Sequence, residues 1–254
     1  MRPLQGRRVE RAGPHDKRGP LRGSRHPRVH GLHAEDRPRL GGRLYKAVDE
    51  QARHYSPSES KHGRSGCGCL KSLGEVLEAL SSLSRTGWML RGVPHQLAET
   101  VAEHLFASAV IAGEIAWRAR SSGLQASPEK AVAIALYHDM AESVIGDISK
   151  RAGLSRAKRE AEARAFASLP LSEGVKNLFR EFEEASSPEA RIARVAELLA
   201  TLWRSCVYVR LGFGVEDIGR GSLEEALALA REWGLEEHAQ GVARLLGVEG
   251  CLEG

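Results

Sequence analysis

Apolar residues recur at helical spacing from residue 70 onward and at no regular spacing before it. Leu70, Leu73, Leu77 and Leu80 fall three and four apart, which predicts one buried helical face. Leu97, Val101, Leu105, Ala109 and Ala112 carry the same period through a second segment. Ser127-Pro128-Glu129 and Ser187-Pro188-Glu189 each read as a serine N-cap with proline at the first helical position, where no amide hydrogen is needed. Ser222 with Glu225 predicts a capping box that opens a helix at Ala226. Gly212, Gly214, Gly219 and Gly221 are expected to form the connection before that helix. They are not a phosphate loop, because no strand precedes them and no Gly-Lys-Ser/Thr closes them. Strand alternation is almost absent. The expectation is an all-α domain over residues 71–254, a bundle of roughly six to nine helices.

Charge divides the chain at the same place. Residues 1–70 carry 16 Lys and Arg against 7 Asp and Glu, out of 37 and 33 in the whole chain, so the remainder is acidic. The first 70 residues also hold 6 of the 10 His and 6 of the 10 Pro, with apolar residues scattered singly. Such a segment buries too little apolar surface to offset the entropy of ordering it, and it is expected to be a disordered basic extension. One reading makes it an arm for nucleic acid, but Tyr45 and Tyr55 are its only aromatics. The favoured readings are a solvated tail or a stretch the native protein lacks, and a nucleic-acid partner is not expected. No run of eighteen apolar residues exists, so no transmembrane helix is expected. The opening residues carry no secretory signal pattern, and a cytoplasmic protein is expected. Cys67-Gly-Cys69 is too tightly spaced for a usual metal pair, and Cys206 and Cys251 stand alone in the sequence.

The most informative stretch runs from Ala131 to Asp147. Seven apolar or aromatic residues, Ala131 to Tyr137, predict a helix apolar all round and therefore buried. The next turn brings His138 and Asp139 side by side, with Glu142 four and three residues further on, so all three project from one surface. Buried charge is costly unless it is paired or bound to a metal. A divalent cation would remove that cost and suits a mixture of imidazole and carboxylate ligands. Two adjacent residues cannot fill a coordination sphere. His104, on the edge of the Val101–Leu105 stripe, is a candidate third ligand, although a lone inward histidine reads equally as a core residue. Glu197, among Ala193, Ala196, Leu198 and Ala200, is a candidate fourth; it reads equally as a surface carboxylate paired with Arg194 or Arg204.

The order His104, then His138-Asp139, then a distant acid resembles the HD-domain metal-dependent phosphohydrolases. Three strings narrow the resemblance to the 5′-deoxynucleotidase branch: Arg85-Thr-Gly-Trp88-Met-Leu-Arg91, Glu99-Thr-Val-Ala-Glu-His104, and His138-Asp-Met-Ala-Glu-Ser-Val-Ile-Gly-Asp147. Order and spacing agree over residues 84–200. The resemblance implies an HD-domain helical bundle, with His104, His138 and Asp139 as metal ligands and Glu197 where the family usually has aspartate. It implies Glu142 as the acid–base residue, Asp147 in support of the reaction centre, Arg85 on the phosphate and Trp88 against the sugar. It also implies a divalent metal such as cobalt or manganese, a small-molecule nucleotide substrate, and a homodimer. The expected activity is hydrolysis of deoxyribonucleoside 5′-monophosphates. The alternatives are a family member acting on another nucleotide, or a non-catalytic binding protein in which Glu197 marks a degraded metal site.

Overall fold

The computed structural model describes residues 70, 72–149 and 155–252. The expected basic extension and the Cys67-Gly-Cys69 pair lie outside the described residues. The described part is all-α, as the periodicity predicted: eight helices of ten residues or more and two single turns, with one isolated bridge between Ser84 and Thr100. In chain order they are α1 (Leu73–Ser82), α2 (Thr86–Met89), α3 (Val101–Ser121), α4 (Pro128–Tyr137), α5 (Glu142–Ile145), α6 (Ser155–Ser168), α7 (Glu173–Glu184), α8 (Pro188–Arg210), α9 (Glu216–Glu232) and α10 (Glu236–Leu245). Among the described residues, no helix is long and apolar enough to cross a membrane.

The two longest helices, α3 and α8, pack on each other and on α4 to make the centre of the molecule. Their shared core is built largely from small residues: Ala112, Ala116 and Ala119 from α3, Ala131 and Ala135 from α4, Ala193, Ala196 and Ala200 from α8. Small side chains bring backbones close, so polar groups on facing turns come within reach of one another. Ser127 and Ser187 cap α4 and α8 as expected, accepting from the amides of Lys130 and Ala190. The cap of α1 is Ser72, in a reciprocal capping box with Glu75. It turns the buried face toward Val76 and Leu80, so Leu73 and Leu77 end up exposed rather than buried as their spacing suggested. Likewise α4 is not enclosed all round, since Leu136 is 40% exposed.

Two expectations fail at the C-terminal end. Ser222 does not cap a helix, because α9 already begins at Glu216 and runs through both Gly219 and Gly221. Only Gly212 and Gly214 belong to the connection, and Gly212 ends α8 with φ +88°. Gly219 is needed for packing: a Cβ there would stand 2.6 Å from Ser205 Oγ on α8. Cys206 and Cys251 do not stand alone either. They form a disulfide, with Cα atoms 5.5 Å apart, that ties α8 to the segment after α10 across 45 residues of sequence. Spacing could not reveal it, because only the return of α9 and α10 along α8 brings the two together.

Candidate functional site

Three pieces of backbone assemble the polar cluster. Thr100 caps α3 in a capping box with Glu103, which fixes the first turn and points His104 inward, where it is fully buried. The bridge between Ser84 and Thr100 lashes the preceding segment alongside, with Arg85 N donating to Glu99 O at 2.8 Å and Val101 N to Leu83 O at 2.9 Å. Arg85 thereby lies beside the start of α3. The third piece is the end of α4. The helix stops at Tyr137, and a turn carries His138 and Asp139 before the single turn α5 begins at Glu142. The three polar residues are therefore not on one continuous helix, but the turn keeps them on one surface.

Ligand atoms of His104, His138 and Asp139 all lie within 4.8 Å of one another. His138 Nε2 is 3.1 Å from Asp139 Oδ2, and His104 Nε2 is 3.9 Å from it. His138 Nδ1 donates to Ala135 O at 2.7 Å, so in the neutral ring Nε2 is the nitrogen that carries the lone pair. Nε2 of His104 is buried without a hydrogen-bond partner, and Nε2 of His138 has only the Asp139 carboxylate beside it. Buried polar atoms so poorly satisfied are expensive, and two imidazoles facing one carboxylate suit a shared cation, whose ligand bonds of about 2 Å place ligand atoms roughly 3–4 Å apart. Burial, with the positive charges of Arg85 and a protonated His138, holds His104 well below the usual imidazole range, so it is neutral and able to ligate. Burial also works against a charged His138, but the adjoining Asp139 carboxylate outweighs it and the net shift is upward. For Asp139 burial is outweighed in turn by His138, and its carboxyl is held far below the ordinary range. These residues fit a divalent metal.

Glu197 is not among the groups within that 4.8 Å set. It lies half-buried on α8, close enough for its charge to be felt at His138. The surface pairings open to it are taken elsewhere: Arg194 donates to the carbonyls of Phe182 and Glu183, and Arg204 donates to Glu99.

Glu142 is buried, with Oε1 3.3 Å from Lys158 Nζ and Oε2 unpartnered. Burial and the nearby charges of Asp139 and Asp147 push its pKa up to about 9, against the pull of Lys158 and Arg85, so it carries a proton at neutral pH. Asp147 does not enter the cluster as a free carboxylate. It accepts from the backbone amide of Thr86, and its own carbonyl accepts from Thr86 Oγ1 at 2.8 Å. It thus fixes the turn that follows Arg85. Gly146 makes this possible: φ +78° and ψ +164° redirect the chain at the end of α5, in a region that only glycine occupies comfortably.

Arg85 Nη1 contacts His104 Nδ1 at 2.7 Å, Thr201 Oγ1 at 3.3 Å and Glu99 Oε2 at 3.6 Å, and its side chain is 19% exposed. A cation on Nε2 would leave the ring proton of His104 on Nδ1, and Arg85 would keep Thr201 and Glu99 as its partners. Trp88 is only 2% exposed, inside a cluster of Val93, Ala98, Tyr208 and Val215, with Nε1 donating to Glu99 Oε2 at 3.1 Å. Its ring is packed in the interior behind Arg85 rather than presented as an open face. Lys158, Glu162, Glu99 and Thr201 were not found from sequence. Lys158 and Glu162 sit four apart in a helix so charged that nothing distinguishes them from solvent-facing neighbours. Glu99 could have been suspected, since it lies in the string that carries the resemblance.

A buried His–His–Asp set on an all-helical frame, with an arginine at its edge and a protonated carboxyl alongside, defines a metal-dependent phosphohydrolase type of centre. The chain belongs to the HD-domain family, whose sequence profile matches residues 77–213. Among its relatives is the 5′-deoxynucleotidase hdd1 of Schizosaccharomyces pombe, 28% identical over 157 residues, which are 58% of this chain and 75% of the relative. The 5′-deoxynucleotidase HDDC2 of Homo sapiens is 32% identical over 147 residues, 55% of this chain and 66% of the relative. A crystal structure from Pyrococcus horikoshii OT3 superposes with a TM-score of 0.59 at 28% identity, covering 69% of this chain and 98% of that one. A conserved hypothetical protein from Pyrococcus furiosus gives 0.60 at 28% identity, covering 68% and 99%.

Proposed function

We propose that this protein is a metal-dependent 5′-nucleotidase that hydrolyses deoxyribonucleoside 5′-monophosphates to deoxynucleoside and phosphate. One observation carries the reading: two buried imidazole nitrogens, with no partner beyond the Asp139 carboxylate they face, lie within reach of an arginine. The names of the curated relatives support the substrate class. His104, His138 and Asp139 would hold the metal, with Glu197 as the fourth ligand in place of the family's usual aspartate. Cobalt or manganese suits this nitrogen–oxygen donor set.

A bound divalent cation neutralises phosphate charge and acidifies water. The chain's own residues do the rest. Arg85 presents a planar guanidinium that matches phosphate oxygens. Glu142, whose carboxyl burial and Asp139 hold protonated at neutral pH, would deliver that proton to the 5′ oxygen as the P–O bond breaks and a water oxygen bonds to phosphorus, and the proton the water gives up would return to the Glu142 carboxylate. Asp147 holds the turn from which Arg85 projects. Trp88 acts from behind that turn, through the position it gives Arg85. A homodimer is supported by Phe106, Val110 and Trp117, large apolar residues left exposed along one side of α3. A cytoplasmic location is proposed, against which the Cys206–Cys251 disulfide stands, since cytosolic thiols are usually kept reduced.

The test is phosphate release from a panel of deoxyribonucleoside and ribonucleoside 5′-monophosphates, with added divalent metals, for the wild type and His138→Ala. Release from dAMP that drops to background in the variant is the expected result. Release that survives the change would remove this centre from the mechanism.

A further inference from the structure

Glu99 has no place in the reaction just described, yet it touches Arg85, assigned to the phosphate, and Trp88, the residue expected against the sugar. It is 1% exposed. Its Oε2 accepts from Trp88 Nε1 at 3.1 Å and lies 3.6 Å from Arg85 Nη1; its Oε1 accepts from Arg204 Nε at 3.3 Å. Its backbone is fixed at both ends, with the carbonyl on Arg85 N at 2.8 Å and the amide donating to Tyr208 Oη at 2.7 Å. Among the described residues it is the one carboxylate within 4 Å of the Arg85 guanidinium. Arg204 is held from its other side by stacking, 4.9 Å from the Trp203 ring centre and 5.9 Å from that of Tyr208.

We propose that Glu99 is a positioning residue: one buried carboxylate locks the Arg85 guanidinium, the Trp88 indole and Arg204 into a single unit that presents Arg85 to the substrate phosphate. The inference rests on the nucleotidase reading. Its physical basis is the difference in exposure. The two guanidiniums are 19% and 20% exposed while the carboxylate between them is sealed, so the unit shows solvent a net positive face. Without the carboxylate the two cations repel, and Arg85 loses its one anionic anchor.

A positioning role and a simple charge effect predict opposite signs. Removing a negative charge beside an anion site strengthens anion binding if charge alone matters. It weakens binding if that charge holds the arginine in place. Glu99→Gln keeps the shape and an acceptor for Trp88 Nε1 while deleting the charge. For the metal-loaded protein, the KM for dAMP is expected to rise about tenfold, which is about 1.4 kcal/mol of lost binding. Bound metal and kcat should stay near wild type, while the melting temperature falls as the two guanidiniums lose their shared partner. An unchanged or lower KM, or loss of metal, overturns the proposal. If Glu99→Gln does not fold, Trp88→Phe decides, read at matched folded fraction because it removes the five-membered ring of a buried indole along with the Nε1 donor: a KM raised about threefold at constant kcat supports the lock, whereas an unchanged KM overturns it. A wild type that releases no phosphate from any deoxyribonucleotide refutes the nucleotidase reading itself, a result distinct from an active wild type with an indifferent Glu99.

Discussion

Gly219 and Gly221 sit two residues apart in α9, and the structure predicts opposite consequences for the same substitution. In a helix interior alanine is favoured over glycine by about 1 kcal/mol. At Gly221, which is exposed and has nothing within 4 Å of the added Cβ, that gain should be realised in full. At Gly219 the new Cβ would lie 2.6 Å from Ser205 Oγ and 3.0 Å from both Ser205 Cβ and Leu252 Cδ2. Leu252 offers only the far end of its side chain and can swing aside. Ser205 cannot do so cheaply, because it is fully buried and donates to Val215 O at 3.0 Å. Overpacking of this kind costs about 1–3 kcal/mol. Escape by rotating Ser205 would leave a buried carbonyl unsatisfied at a cost of similar size, about 1–3 kcal/mol. Gly219→Ala should therefore destabilise the protein by up to about 2 kcal/mol after the propensity gain is subtracted, while Gly221→Ala stabilises it by about 1 kcal/mol. Paired urea unfolding curves decide the matter, and melting temperatures should part by several degrees in the same sense. If both variants shift in one direction, or Gly219→Ala is the more stable, the close approach of α9 to α8 is refuted.

Glu142, raised from an ordinary 4.5 to about 9, keeps in the folded state a proton that the unfolded chain releases. Stability of the metal-chelated protein should thus be fully present below about 4.5 and decline as pH rises toward 9, with Glu142→Gln flattening the decline; parallel urea-midpoint profiles for the two would refute it. Gly146→Ala should cost about 1–3 kcal/mol because φ +78° is retained only under strain, and it should reduce phosphate release further than stability, by drawing Asp147 away from Thr86. Activity unaffected at matched folded fraction would show that the Asp147 anchor is dispensable. Non-reducing peptide mapping should recover a Cys206–Cys251 pair, and Cys251→Ser should lower stability by up to about 4 kcal/mol, the chain-entropy value for a loop closed over 45 residues. Free thiols at both positions in the oxidised protein would refute the link.

What the sequence made legible follows from how local each signal is. Serine caps, the stripe of α3 and the buried stretch of α4 are short-range patterns, and the chain adopts them nearly as read. The exceptions share one cause. Leu73 and Leu77, Ser222, and the cysteines on α8 and after α10 depend on which neighbour arrives from far along the chain, and a periodic pattern carries no information about that. The candidate site divides the same way. His138, Asp139 and Glu142 could be read because a charge cluster following an apolar run is locally anomalous. Glu99, Thr201 and Lys158 are ordinary in their own surroundings and become exceptional only through Arg85 and Glu142, to which they are joined across 14, 116 and 16 residues. Resemblance to a family assigns roles to only some residues of its motifs, so it located Arg85 and Trp88 and ran past Glu99 without giving it one. The burial of Trp88 changes the meaning of that pair. A ring that gives its only polar hydrogen to Glu99 and its edge to Tyr208 has little left for a sugar, and its value to a reaction must pass through the arginine three residues before it. On the proposed reading, phosphate affinity at this centre depends on how firmly Arg85 is held, a property spread over α8 and the segment that leads into α3.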